Sequence, residues 1–165
     1  MLRMGTETFL KIKELLDSKG FEYKHLVHEH VVTSEDAAKI RDTNIHDALK
    51  AIILKAQLKD GTFKFFQAVI PASERIDLKK LKILLDSKNV SLASPHEVLK
   101  ETGCTVGSVP PFAQLFGMDV YLDNSALKRD TVVFSAGTHT DSIKMKAQDY
   151  YNIVEPKVEE IRKIY

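Results

Sequence analysis

Two apolar segments joined by an Asp-Gly turn place the strongest constraint on how this chain can fold. Leu49 to Lys55 is an aliphatic run broken only by lysines, and Phe63 to Ile70 is a second apolar run that stops at Pro71. Asp60-Gly61 lies between them, and this dipeptide favours a tight hairpin turn because both of its residues tolerate positive φ. The two runs are therefore predicted to form an antiparallel pair of buried strands.

The remaining secondary-structure signals do not follow a regular order. Segments with apolar residues at three- and four-residue spacing, or with a capping signal, predict helices. They are Thr6 to Lys19, Thr33 to Ile40, Asp77 to Leu85, Ser94 to Lys100, Ala147 to Tyr151 and Pro156 to Tyr165. Short apolar or alternating runs predict further strands. They are Phe21 to Leu26, Asn89 to Leu92, Met118 to Leu122, Thr131 to Ser135 and Ser142 to Met145. This order predicts one α/β (α+β) domain over residues 1–165, with mixed strand directions.

Composition argues against several classes of protein. The 165 residues are 44% hydrophobic and 28% charged, which is typical of a globular domain rather than a disordered chain. No apolar run approaches the ~20 residues that span a bilayer, and residues 1–7 lack the apolar core of an export signal. The single cysteine, Cys104, excludes an internal disulfide and a C-x-x-C site. We expect a cytoplasmic protein without membrane association, and its net charge of +1 gives no global electrostatic case for nucleic acid.

The segment 107–112, Gly-Ser-Val-Pro-Pro-Phe, predicts a stiff loop between a helix and a strand. Gly107 permits a positive φ or a close approach of the main chain to another molecule. Pro110 and Pro111 fix their own φ, remove two backbone donors and hold the preceding residues extended. The carbonyls are expected to face outward and accept hydrogen bonds from a ligand. The alternative is that the loop only connects the two elements rigidly.

Lys50 lies on an apolar face of its predicted strand. Alternation puts it on the same face as Ile52 and Leu54, whereas Lys55 points to the opposite face. Burying an ammonium without a partner is costly, so such a lysine is typically paired, faces a pocket, or has a lowered pKa. The alternative is a side chain that runs along the surface from the strand end to reach water.

Three further features are candidates for a pocket wall, a metal site and a nucleophile. Residues 135–142 form a polar turn with several hydroxyls and His139, which fits either a hairpin loop or a second wall of a pocket. His28 and His30 would share a strand face, but no third ligand of suitable spacing is evident, so no metal is predicted. Cys104 has no local base, so a half-buried loop cysteine is favoured over a nucleophile. Common nucleotide, dinucleotide and zinc motifs are lacking, and no cofactor is predicted.

Taken together, these segments resemble the YbaK family, also called the prolyl-tRNA synthetase associated domain family. The matching segments are 47–54, 75–81, 93–98, 102–112, 120–123 and 135–143, so the resemblance extends over nearly the whole chain. Members of that family are aminoacyl-tRNA deacylases, either free-standing or inserted into prolyl-tRNA synthetase. The resemblance implies a mixed, strongly curved sheet flanked by helices, with a pocket between the lysine strand and the Gly-x-x-x-Pro loop.

The resemblance also implies which residues form the site. Lys50 matches the family lysine that is needed for deacylation, and Gly107 matches the glycine whose backbone lies against the aminoacyl group. Pro111 matches the proline that fixes the loop. The remaining residues expected to contact substrate are Thr33, Ser108, Val109, Pro110, Ser135, Gly137 and His139.

The predicted activity is hydrolysis of the ester between a mischarged amino acid and the 3′-adenosine of a tRNA, with tRNA-Pro carrying Cys or Ala as the expected substrate. Lys50 would stabilise the charge that develops in the tetrahedral intermediate, and the attacking group would be water or a group of the substrate itself. Ala51 stands where some alanine-specific members have asparagine, and Phe112-Ala113 stands where a glycine is frequent. These departures bear on the amino acid specificity.

Two other functions stay open at this point: a non-catalytic module that binds tRNA or a synthetase, and a hydrolase of another small acyl ester. Aminoacylated tRNA is the expected partner, together with prolyl-tRNA synthetase. Lys79, Lys80 and Lys82 are candidates for holding the acceptor stem, although a solvated helix face is the favoured account of them.

Overall fold

The chain forms two β-sheets and five α-helices in the computed structural model, which describes residues 5–31 and 33–165. The helices are α1 (Thr6–Ser18), α2 (Ser34–Arg41), α3 (Leu78–Leu84), α4 (Pro95–Thr102) and α5 (Ala147–Val154). The strands are β1 (Tyr23–Val27), β2 (Leu49–Leu58), β3 (Phe63–Pro71), β4 (Ser87–Leu92), β5 (Val120–Asp123), β6 (Thr131–Ser135), β7 (Asp141–Lys146) and β8 (Lys157–Glu159). Short 3₁₀ helices span Ala113–Phe116 and Asn124–Lys128.

The predicted hairpin is confirmed and forms the centre of the larger sheet. β2 and β3 pair antiparallel, with Lys50 opposite Ile70, and the full strand order is β4-β2-β3-β5-β8. β5 joins β3 in parallel and β8 joins β5 in parallel, so the sheet is mixed as expected. The smaller sheet is antiparallel with the order β1-β7-β6. A single bridge between Ala48 and Val133 links the two sheets at the start of β2.

The helix boundaries follow the capping signals in the sequence. Ser94 accepts a hydrogen bond from the Glu97 amide, the Glu97 side chain accepts one from the Ser94 amide, and Gly103 ends the helix at φ 71°. This reciprocal pair satisfies two donors that the first turn of α4 would otherwise leave free. Asp77 caps α3 in the same way by accepting from the amides of Lys79 and Lys80. None of the helices in this part of the chain has the length and hydropathy of a bilayer-spanning segment.

A group of three aromatic rings fixes the proline loop from beneath. Phe112, Phe134 and Tyr150 are fully buried, and their ring centroids lie 5.4 to 5.9 Å apart. Such tilted and edge-to-face contacts stabilise aromatic clusters beyond the burial of their area. The loop after α4 is therefore anchored in the main core at Phe112, directly behind the two prolines.

The helix predicted for Pro156 to Tyr165 is wrong. Residues Lys157–Glu159 form β8 instead, and Ile161 is fully buried. The buried carboxylate of Asp123 accepts hydrogen bonds from the amides of Ile161 (2.8 Å) and Arg162 (3.0 Å) and from Arg162 Nη1 (2.9 Å). These distant partners satisfy the backbone of the terminal segment, so it does not need helical hydrogen bonds.

Candidate active site

Lys50 and Gly107 line the same small cavity. It has a volume of about 90 Å³ and lies between the start of β2, the start of α2, the loop at residues 107–109 and the end of β6. Its lining residues are Val31, Thr33, Ser34, Ala37, Arg41, Ala48, Leu49, Lys50, Ala51, Ala72, Gly107, Val109 and Ser135. A space of this size is suited to a small amino acid side chain.

The Lys50 ammonium is a cation without an ion-pair partner in the part of the chain that the structure describes. Among residues 5–31 and 33–165, no carboxylate lies within 4.0 Å of it. Burial lowers the pKa of Lys50, as does the positive charge of Arg75, while Glu35 and Glu74 raise it. Lys55, on the other face of β2, instead lies 2.7 Å from Glu97 Oε2. The pocket-facing interpretation of Lys50 thus agrees with its surroundings.

Gly107 adopts φ 91°, a conformation that residues with a side chain rarely adopt. The loop on its C-terminal side is tied down by the main chain. The amide of Ser108 donates to the carbonyl of Thr105 (3.0 Å), and the amide of Gly137 donates to the carbonyl of Ser108 (2.9 Å). These bonds hold the main chain of Gly107 at the edge of the cavity.

The proposal that the proline carbonyls face outward is wrong. Gln67 Nε2 donates to the carbonyl of Pro110 (2.9 Å), and the Tyr150 hydroxyl donates to the carbonyl of Pro111 (2.7 Å). Both donors are fully buried, and Gln67 Oε1 also accepts from the Ala113 amide (3.1 Å). The two prolines therefore anchor the loop in the core, and neither lines the cavity.

The Tyr150 hydroxyl supplies a measurable part of this anchoring. We expect Tyr150→Phe to lower the free energy of unfolding by about 1–3 kcal/mol, because the buried carbonyl of Pro111 loses its donor. Chemical denaturation measures this change. The control is Tyr151→Phe, since the neighbouring Tyr151 is only partly buried and its hydroxyl makes no hydrogen bond to the described residues. Equal stability of the two variants would contradict the anchoring role.

The predicted substrate-contacting residues divide into two groups. Thr33, Val109 and Ser135 line the cavity together with Lys50 and Gly107. The residues that do not line it are Ser108, Pro110, Pro111, Gly137 and His139. The members of this second group lie behind the cavity and support it.

His139 and Gly137 show how this supporting layer works. His139 Nδ1 donates to the Val31 carbonyl (3.1 Å), so Nε2 of the neutral ring accepts from the Thr105 hydroxyl (2.7 Å). Burial lowers the pKa of His139, and the nearby His30 adds to this, which favours that neutral form. Gly137, at φ 106°, lies against the start of α1, where a Cβ atom would come within 2.6 Å of the Gly5 carbonyl oxygen. Both residues fix the turn after β6 rather than contact the cavity.

Sequence reasoning missed Arg41, the second cation of the cavity. It ends α2, and its Nε donates to Ser142 Oγ (2.8 Å) and its Nη2 to Ser135 Oγ (3.3 Å). Burial lowers the pKa of Arg41 to about 10. A polar residue at a helix end carries no sequence signal of burial, because the contacts come from β6 and β7. None of the described lining residues is acidic, so the cavity favours groups that accept hydrogen bonds or carry negative charge.

The other candidate nucleophile and ligands lie elsewhere. Cys104 is fully buried, and burial raises the pKa of its thiol, although hydrogen bonds with Thr8 and Thr102 oppose the shift. The thiol is thus more deeply buried than the half-buried loop cysteine expected from the sequence. Across the described ranges, no three His, Cys, Asp or Glu side chains are grouped as metal ligands.

An apolar groove adjoins the cavity on the other side of Gly107. It has a volume of about 230 Å³ and shares Ala51, Gly107 and Val109 with the cavity. Its other lining residues are Ile52, Ile53, Ile76, Leu92, Ala93, Val98 and Val106. The main chain at Gly107 thus separates a polar, cationic compartment from an apolar one.

Comparison with known proteins identifies the class of this site. Residues 28–153, which include every residue that lines the cavity, match the aminoacyl-tRNA editing domain. The chain belongs to this family, and it is an aminoacyl-tRNA deacylase by class. The resemblance to YbaK-like proteins noted from the sequence is confirmed.

Individual relatives cover almost the full chain. The multifunctional Ser/Thr-tRNA deacylase ProXp-y of Escherichia coli (strain K12) is 30% identical over 160 residues, which are 96% of this chain and 95% of that protein. The prolyl-tRNA editing protein ProX of Acetoanaerobium sticklandii is 26% identical over 145 residues, covering 85% of this chain and 86% of that protein. A crystal structure described as a candidate trans-editing enzyme for prolyl-tRNA synthetase matches with a TM-score of 0.81 at 20% identity. That match covers 95% of this chain and 98% of the other, and it shows a common fold.

Proposed function

We propose that this protein hydrolyses in trans the ester of a tRNA mischarged with a small amino acid, with serine and threonine as the preferred residues. The observation that supports this most strongly is the shared cavity of Lys50 and Gly107. An unpaired ammonium and a main-chain edge are suitable groups for holding an ester and the charge it develops.

In this proposal Lys50 acts by electrostatic stabilisation. Water attacks the ester carbonyl carbon and gives up a proton to solvent, and the ammonium stabilises the negative oxygen of the tetrahedral intermediate. The carbon–oxygen bond to the ribose then breaks, the ribose oxygen takes a proton from water, and free amino acid and tRNA are released. Partial burial strengthens this interaction, because opposite charges attract each other more strongly in a low-dielectric site than in water. None of the described lining residues is His, Cys, Asp or Glu, so no side-chain base is assigned.

The size and polarity of the cavity support serine and threonine. A cavity of about 90 Å³ favours small side chains, although each methylene gives only about 1–3 kcal/mol of discrimination. Thr33, Ser34 and Ser135 contribute hydroxyls to the lining, and Arg41 contributes N–H donors. The relative in Escherichia coli is named as a Ser/Thr-tRNA deacylase. We therefore favour hydroxyl amino acids over the Cys or Ala expected from the sequence, and we retain tRNA-Pro as the carrier and prolyl-tRNA synthetase as a partner.

The apolar groove is the place we assign to the terminal adenine. The ester is carried by the ribose of that nucleotide, so its base has to lie next to the cavity that holds the amino acid. The groove adjoins the cavity at Gly107 and Val109, and its exposed Val106 offers an apolar surface against which a base can stack.

Of the lysines proposed to hold the acceptor stem, Lys80 already pairs with Glu160 (2.7 Å) and donates to the Arg162 carbonyl (3.1 Å). That arrangement favours a structural role for Lys80.

A panel of charged tRNAs tests this proposal. Purified protein is incubated with one tRNA-Pro carrying Ser, Thr, Ala, Cys or Pro, and release of the amino acid is measured. We expect Ser and Thr to be released fastest and Pro slowest. Failure to release any amino acid would instead support a non-catalytic binding module. Equal rates on seryl-adenosine and seryl-tRNA would support a hydrolase of small acyl esters that does not use the tRNA.

A further inference from the structure

We infer that Arg41 and Ser135 together recognise the side-chain hydroxyl of the aminoacyl group. This inference rests on the proposed deacylase function and adds a specificity-determining pair to it. The two residues enter the cavity from different elements: Arg41 ends α2, and Ser135 ends β6.

The orientation of Arg41 is fixed by a chain of hydrogen bonds behind the cavity. His28 Nδ1 donates to the Glu29 carbonyl (2.7 Å), so Nε2 of the neutral ring accepts from the Ser142 hydroxyl (2.7 Å). Ser142 Oγ can then accept from Arg41 Nε (2.8 Å). Ser142 is itself fully buried, so this chain holds the guanidinium at one angle.

Pairing of β6 with β7 explains why two serines meet the same guanidinium. Ser135 and Ser142 are directly opposite each other in the register of these strands. Arg41 therefore reaches both hydroxyls, Ser142 through Nε and Ser135 through Nη2 (3.3 Å). A guanidinium has five N–H groups, so three of them have no hydrogen-bond partner among the described residues.

The charge of Arg41 also lacks an ion-pair partner among the described residues. No carboxylate of the described residues lies within 4.0 Å of it, and no acidic residue lines the cavity. Burying a cation without a counter-charge is costly, so a bound group that supplies an acceptor for its remaining N–H groups is favoured. Burial also lowers the pKa of Arg41, in agreement with this environment.

The pair can both donate a hydrogen bond to a substrate hydroxyl and accept one from it. Arg41 only donates, so it requires an oxygen lone pair on the substrate. Ser135 Oγ accepts from Arg41 and has a second lone pair that can accept the substrate hydroxyl proton. Serine and threonine satisfy both partners, whereas the methyl of alanine satisfies neither and the thiol of cysteine is a weak acceptor. The buried alanines 37 and 48 leave an apolar wall for the extra methyl of threonine.

The test compares seryl and alanyl esters on the same tRNA. Arg41→Met keeps a side chain of similar length but removes all five donors. We expect it to lower the ratio of seryl to alanyl kcat/KM by about ten- to a hundred-fold, the range for losing a hydrogen bond to a charged group. Lys39→Met, which removes an exposed cation from the same helix, should leave the ratio unchanged.

The outcomes distinguish a role of Arg41 in amino acid specificity from a role in supporting the cavity. A parallel loss of seryl and alanyl rates would overturn the inference, because it would assign Arg41 to general support of the cavity. If Arg41→Met does not fold, Ser135→Ala is used, and it should reduce the seryl rate more than the alanyl rate. An unchanged ratio in Ser135→Ala would then refute the inference. A wild-type protein without activity on any ester would instead reject the proposed function itself.

Discussion

Lys50→Met is expected to lower kcat for seryl-tRNA by about 100- to 1,000-fold, the range measured when one group that stabilises an oxyanion is removed. Methionine retains the aliphatic length of the side chain and removes only the ammonium. Because that ammonium is partly buried without a carboxylate partner, its loss should leave thermal stability unchanged or higher. Steady-state deacylation and thermal unfolding together measure both effects.

Lys55→Met is the matched control for this experiment. Lys55 belongs to the same strand but points to the opposite face, where it pairs with Glu97. Its replacement should leave kcat within a few-fold of the wild type, because Lys55 does not line the cavity. It should lower the free energy of unfolding by about 1 kcal/mol or less, the range for partly exposed ion pairs. Full deacylase activity in Lys50→Met would remove this lysine from the mechanism. A comparable loss in both variants would show that the charge of the strand, not the position of Lys50, is what matters.

Asp123→Ala is expected to cause the largest loss of stability, about 3–5 kcal/mol, because it breaks a buried ion pair with Arg162. The carboxylate is fully buried and also accepts from two amides of the terminal segment. Urea denaturation measures the loss. Hydrogen exchange should show that the amide of Ile161 loses its protection first. Asp119→Ala is the control: its partly exposed carboxylate lies 3.5 Å from Lys157 and 3.9 Å from Lys64, so about 1 kcal/mol or less is expected.

The same carboxylate gives the fold a defined acid sensitivity. Burial by itself would raise the pKa of Asp123, but hydrogen bonds from Ser125, Ile161 and Arg162 outweigh it and hold the pKa below 3.8. A carboxyl with a lower pKa in the folded state stabilises the fold above its unfolded pKa and loses that contribution as the pH falls. We therefore expect the stability difference between wild type and Asp123→Ala to shrink below about pH 4. A difference that is constant down to pH 2 would contradict this account.

Features that depend on neighbouring residues were predictable from the sequence. The Asp60-Gly61 turn, the capping box of Ser94 and Glu97, and the apolar face of Lys50 each arise from spacing within one or two elements. They were enough to predict the central hairpin and to make Lys50 a candidate for a pocket, with a surface position as the alternative. The family resemblance added the link between Lys50 and the Gly107 loop, which spacing alone does not supply.

Features that depend on distant partners were not predictable. The terminal segment is extended because Asp123 binds its amides, and the proline carbonyls point inward because Gln67 and Tyr150 donate to them. Arg41 is drawn into the cavity by hydroxyls about a hundred positions further along the chain. Each of these interactions joins residues that no local pattern relates, so a single sequence gives no signal of them.

The most direct test of the central claim is a crystal structure with a non-hydrolysable substrate analogue, in which serine is joined by an amide to 3′-amino-3′-deoxyadenosine. We expect the seryl carbonyl oxygen within hydrogen-bond distance of the Lys50 ammonium, with the seryl group against the main chain of Gly107. The adenine is expected in the apolar groove beside Val106. A seryl group bound outside this cavity, with Lys50 not in contact with it, would contradict the account.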